Sequence, residues 1–215
     1  MKGIIAIVAI CIFYSSNIGA VEIDTKAGTT GASFLKIGVG ARPVALGESF
    51  VAVADDVHSL YWNPAGMVQV ETSELILMHN IWFVDTSFEY IGFVFPMEDR
   101  ALGVSAAYLN LGTIDGKDRN DNVVDSFKAY DMSVGLSYSE RIEVGLEEEG
   151  RLLVGGTVKV IQEKIDETTS TGFGVDIGSI FWVDEELSVG MMVQNLGTPM
   201  KYLDEKSNLP LNMKV

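Results

Sequence analysis

Residues able to do chemistry are sparse in this chain of 215 residues. Its two histidines, His58 and His79, are far apart, and its one cysteine, Cys11, lies in the apolar stretch at the N-terminus. A zinc site needs three or four His, Cys or carboxylate ligands brought together, and a Ser-His-Asp triad needs three groups in hydrogen-bond reach. Ser59 is only a sequence neighbour of His58, which is not triad geometry. No metal and no cofactor are therefore expected, and the chain is not expected to be an enzyme. The acidic run Asp118-Arg119-Asn120-Asp121-Asn122 begins like a calcium loop. An EF-hand requires Gly at its sixth position and Glu at its twelfth, where this chain has Val123 and Ala129. Gly38-Val39-Gly40 and Gly172-Phe173-Gly174 lack the third glycine and the helix that a dinucleotide-binding loop needs. What remains is Asp131, Lys159 and Asp176, polar residues inside otherwise apolar or small-residue runs. They are candidate polar contacts on the inner side of a folded sheet, with Lys159 and Asp176 able to pair.

The elements that would position such residues follow from composition and period. The chain is 47% hydrophobic, with a mean hydropathy of +0.24, yet its net charge is -15. Phosphates repel such a chain, so no nucleic-acid partner is expected. Lys2, an apolar run from Gly3 to Tyr14 and the small residues before Ala20 read as a signal peptide over residues 1–20, cleaved near Ala20. That run is shorter than the roughly twenty apolar residues of a membrane-spanning helix, and no later segment approaches that length. An exported chain without a mature cysteine must be held by packing and backbone pairing.

Residues 21–70 are rich in Gly and Ala and show little period. Short helical turns are expected over 49–54 and 55–61. Trp62-Asn63-Pro64-Ala65-Gly66 is a turn signal, because the residue before a proline leaves the helical region and a glycine follows. From about Ser73, alternation with period 2 recurs. Leu102, Val104, Ala106 and Tyr108 alternate with Gly103, Ser105 and Ala107. The same pattern recurs over 130–138, 152–160, 173–181, 187–193 and 211–215, with further strands around 73–79 and 87–96. One face is large and apolar, the other small or polar, and charges collect in the connections. Tyr108, Tyr130, Tyr138, Phe173, Phe181 and Trp182 are assigned to the aromatic girdles of a bilayer interface. Tight joints at 97–100 and 183–186 fall on one side, and long joints at 112–127 and 197–208 on the other. Further joints are expected at 80–86, 141–150 and 164–171, that at 141–150 being longer than its side of the pattern predicts. This pattern predicts an all-β, transmembrane antiparallel β-barrel, preceded by an N-terminal segment at 21–70 and with its strands over 71–215.

The run from Phe34 to Met67, including Gly38-Val39-Gly40-Ala41-Arg42, Ala52-Val53-Ala54-Asp55-Asp56 and Tyr61-Trp62-Asn63-Pro64-Ala65-Gly66-Met67, resembles the opening of PorV/PorQ-type outer-membrane proteins, relatives of the FadL-type barrels. Leu111-Gly112-Thr113-Ile114, Gly174-Val175-Asp176-Ile177-Gly178, Asn195-Leu196-Gly197 and Leu209-Pro210-Leu211 extend the resemblance in order along the chain. It implies a barrel of about fourteen strands in the outer membrane of a diderm bacterium, of which about eight are present here, so that the chain reads as C-terminally truncated. It also implies that the segment ending at Trp62, Asn63, Pro64, Ala65 and Gly66 folds into the barrel as a hatch or plug. The function implied is transport across the outer membrane, with hydrophobic small molecules as cargo. The alternatives are an accessory or shuttle role in type IX protein secretion, with secreted proteins as partners, and a structural role. Outer-membrane lipid is the expected surrounding in each case.

Overall fold

A computed structural model describes residues 29–119, 121–143, 151–202 and 204–215. The expected signal peptide, with Cys11, lies outside the described residues. Gly31–Val215 forms one compact unit. It is all-β apart from short helical turns, and no described helix is long and apolar enough to cross a membrane.

The strands are β1 (Glu74–Ile81), β2 (Ser87–Pro96), β3 (Arg100–Lys117), β4 (Val123–Glu143), β5 (Arg151–Ile165), β6 (Thr168–Trp182), β7 (Ser188–Gly197), β8 (Met200–Tyr202), β9 (Glu205–Ser207) and β10 (Asn212–Lys214). Eight of them form one antiparallel sheet in the order β1-β2-β3-β4-β5-β6-β7-β10, and β8 and β9 make a separate hairpin. Antiparallel neighbours joined in sequence order are what short connections produce.

The register explains the alternation. Leu77, Ile91, Ala106, Val134, Val160 and Phe173 are cross-strand partners in one row. Leu75, Phe93, Val104, Leu136, Val158 and Val175 form the next row on the same face. Most of these large side chains are exposed, as Val134 at 53% and Phe173 at 59% illustrate. Between those rows, on the opposite face, lie Ile76, Gly92, Ser105, Gly135, Lys159 and Gly174. The outer face is thus a continuous apolar band, and the inner face is small and polar. Above the band the outer face turns polar at His79, Glu89, Tyr108, Met132, Gln162 and Thr171, again one row. The His79 ring is held by Glu89 there, at 2.7 Å.

The eight strands form an open sheet with β1 and β10 as its edges and do not close on themselves. The reason is volume: an eight-stranded barrel is filled by its own side chains, whereas here a forty-residue segment occupies the inner face. The joint expected at 112–127 is mostly strand. β3 continues to Lys117 and β4 starts at Val123, forming a ribbon that runs past both neighbouring strands. Both faces of that ribbon are wet, so no alternation marks it. The joint expected at 164–171 shrinks to Asp166 and Glu167, and that at 197–208 contains the β8–β9 hairpin. Length therefore does not separate the two ends as neatly as the spacing suggested. Among the assigned girdle aromatics, Phe173 lies within the apolar band and Trp182 turns inward.

Candidate functional site: the segment seated on the inner face

Gly31–Val70 folds as a chain of short turns, as its small residues and lack of period dictate. A 3₁₀ turn at Ser33–Lys36 is followed by α1 (Ala41–Ala45), α2 (Ser59–Trp62) and a second 3₁₀ turn at Pro64–Gln69. The turn expected over 49–54 is a single hydrogen-bonded turn, closed by the Val53 N–H on the Phe50 carbonyl, and only the end of the 55–61 stretch is a helix. Pro64 explains where α2 stops. It forces Asn63 out of the helical region, to φ -166° and ψ 101°, and then begins the next turn at a position where its missing N–H costs nothing.

The five motif residues are seated against the sheet. Trp62, Asn63 and Ala65 are fully buried, and Pro64 and Gly66 are buried as well. The Trp62 ring N–H donates to the Val39 carbonyl at 2.8 Å. The Asn63 amide donates to the carbonyls of Val51 at 2.8 Å and Ser179 at 3.1 Å, and its oxygen accepts from the Ala65 N–H at 3.2 Å. One side chain thus ties together two parts of the segment and β6.

Inward glycines of the sheet make the room. A Cβ on Gly155 would lie 2.5 Å from the Pro64 carbonyl carbon, and one on Gly190 would lie 2.6 Å from the Ala52 Cα. Gly178 faces the Asn63 carboxamide and Gly103 faces Leu60 and Met67. Polar side chains tie the same surfaces. Gln194 donates to the Tyr61 carbonyl at 2.8 Å, Ser188 to the Ala52 carbonyl at 3.2 Å, and Glu163 accepts from the Ala32 N–H at 2.9 Å. The Trp182 ring N–H donates to Gln69 at 3.2 Å, and Gln69 donates to the Ala54 carbonyl at 2.8 Å. The segment also touches both sheet edges: the Gly40 N–H approaches Met78 of β1, and Lys214 of β10 reaches Glu48 at 3.2 Å and lies over the Trp62 ring.

Of the three inner polar candidates, two meet. Lys159 donates to Asp176 at 2.8 Å and to Asn195 at 2.6 Å, and the Asn195 N–H donates to the other Asp176 oxygen at 2.7 Å. Asn195 sits at φ 62°, where the β6–β7 register shifts, and its amide donates to the Pro210 carbonyl. Asp131 stands apart, opposite Glu163 in the β4–β5 ladder. Between segment and sheet lies a cavity of about 40 Å³, lined in part by Tyr90, Ser105, Ser133, Thr157, Lys159 and Asp176. That is room for a few ordered waters, with polar partners to hold them.

Glu163, Gln69 and Gln194 escaped the sequence reading, while Trp182 entered it only as a girdle aromatic and Asn195 only within a family motif. Glu163 carried a signal, being a carboxylate at an inward position of an alternating strand. Asn195 did not, because the bulge breaks the alternation there.

Outside the sheet, Arg42 binds Asp55 and Asp56, and the His58 ring contacts Asp56 at 2.8 Å. Partial burial alone would raise the Asp56 carboxyl. Hydrogen bonds from the His58 ring and backbone N–H and from Arg42 outweigh that and hold it down at about 2. A depressed carboxylate stabilises the fold above its unfolded pKa, about 4, and that contribution is lost as pH falls through the folded value. Protection factors for hydrogen exchange over 55–60, taken relative to the intrinsic rate at each pH, should therefore fall on acidification between about pH 4 and about pH 2. The Asp56→Asn variant should lack this acid-dependent step.

Among the described residues no group of three or more His, Cys, Asp or Glu converges as metal ligands. The arrangement is that of a packed, hydrogen-bonded insert. Comparison with family models matches residues 20–215 to a family described as type IX secretion system protein PorV. A comparison with curated proteins gave no match.

Proposed function

The chain belongs to the PorV family of type IX secretion system proteins, and on that premise we propose that it is an outer-membrane β-barrel component of that secretion system. The observation that carries this reading is the apolar outer face, continuous across the rows from β1 to β6 and bounded by a polar row. Such a face suits lipid, and a sheet in lipid needs its edge backbone groups paired, so β1 and β10 pair with further strands in the membrane. Gly31–Val70 then acts as a plug on the lumen side, with Trp62, Asn63, Pro64, Ala65 and Gly66 as its anchor. Lys159 and Asp176 are a structural pair beneath it. The β3–β4 ribbon projects from the end at which the β8–β9 hairpin packs back on β6 through Met200 and Lys201, and this ribbon is the part placed to meet exported proteins. The family match favours this secretion role, first held as the alternative, over transport of hydrophobic molecules, which no observation here supports.

Deleting the chain's gene from its own organism tests the role. Proteins that this secretion system delivers to the cell surface should leave it and accumulate in the periplasm. Unchanged surface attachment would refute a secretion role. The membrane placement has its own test. Val134→Arg should destabilise the inserted protein by about 2–4 kcal/mol, read as a lower urea midpoint in vesicles. Were that face in water, the same substitution would change the midpoint little.

A further inference from the structure

We infer that Gly31–Val70 is a fixed core of the sheet and not a gate, so that secretion proceeds without this segment leaving the inner face. The inference rests on the secretion role proposed above and goes beyond it by assigning the segment's part in the working cycle.

A gate needs two states close in free energy and an interface that can part. This interface is built in the opposite way. Phe50, Trp62, Ala65 and Met67 are fully buried against it, with Leu153 and Ile180 of the sheet in the same apolar cluster as the first three of these. The contacts are also moulded backbone to backbone. Gly155 admits the Pro64–Ala65 peptide and Gly190 admits the Val51–Ala52 backbone, each at a place where a single Cβ would collide. Departure would also strip partners from groups on both sides: the Ser179 carbonyl from Asn63, Gln194 from the Tyr61 carbonyl, and Glu163 from the Ala32 N–H. These ties reach β5, β6 and β7 and are spread along the segment, so no single hinge releases them.

A disulfide between segment and sheet tests this. Ala52→Cys combined with Ser188→Cys puts one thiol on the segment and one on β7, at the two residues joined by the bond from the Ser188 hydroxyl to the Ala52 backbone carbonyl. The one natural cysteine, Cys11, lies in the expected signal peptide, and an exported chain is in a compartment where the bond forms. The expected result is wild-type surface attachment of exported proteins with the bond formed, verified by thiol labelling. A loss of attachment that a reductant restores would overturn the inference while leaving the secretion role intact. Conversely, normal attachment in the gene deletion would remove the role itself. Hydrogen exchange on the unmodified protein gives an independent reading. The amides of Asn63 and Gly66 should be as protected as the β4–β5 ladder; exchange at the rate of an open loop would overturn the inference.

Discussion

Gly155→Val should abolish most of the folded protein, seen as a fall in the yield of folded protein and a collapse of the urea midpoint. The neighbouring Gly156→Ala should change both only slightly. The two glycines are adjacent in β5 but point to opposite faces. A Cβ on Gly155 meets the carbonyl carbon and oxygen of Pro64 at 2.5 and 2.7 Å, and these are backbone atoms held by the turn at Pro64–Gln69. A rotamer change cannot relieve that overlap. Either the segment lifts from the sheet, taking Trp62 and Asn63 with it, or β5 bends away from β4 and β6. Overpacking costs about 1–3 kcal/mol and occasionally more, and valine adds two methyl groups to a first clash that is already against backbone. On Gly156 the Cβ would approach only the Asp176 carbonyl, at 3.3 Å, which a small shift absorbs. Equal effects at both positions would mean that β5 tolerates no side chain for reasons unrelated to the segment.

The contrast between those glycines marks how far the sequence could be read. Which face each strand residue takes was legible, because a side chain in a strand alternates with period 2 and one face here must stay small. Val134 and Leu136 outward, Ser133 and Ser137 inward, follow from the pattern alone and are found so. The segment was legible as a non-periodic block, and its Asn-Pro turn as a turn. What presses on each inward glycine was not legible, since Gly155 and Pro64 are distant in sequence and a glycine looks alike in a bulge, a bend or a socket. The β3–β4 ribbon was missed for a related reason. Asp115, Lys117 and Asp125 make it look like a loop, yet strand pairing through backbone groups needs no apolar face once both faces are wet. Trp182 went to the wrong environment because an aromatic at a strand end suits a membrane girdle and the closure of a core equally well; only Gln69, far away in sequence, decides it.

The second large effect is expected at Asn63. Asn63→Leu keeps the branching of the side chain, with somewhat greater bulk, but can neither donate nor accept. Two carbonyls, of Val51 and Ser179, would then lose the partner they have at 2.8 and 3.1 Å, and the Ala65 N–H would lose its cap. Each buried polar group left without a partner costs about 1–3 kcal/mol, so the expected loss is about 3–5 kcal/mol. Asn63→Asp distinguishes the donor from the acceptor role. Its carboxylate can still accept from Ala65, but it faces the same two carbonyl oxygens without hydrogens to offer. Asn63→Asp should therefore be no better than Asn63→Leu near neutral pH. It should recover partly on acidification, when the protonated carboxyl regains one donor. Urea unfolding of the three proteins at neutral and acidic pH reads this directly. If Asn63→Asp instead matched the wild type at neutral pH, the cap on Ala65 would be the interaction that matters, and the bridge to β6 would contribute little to holding the segment in place.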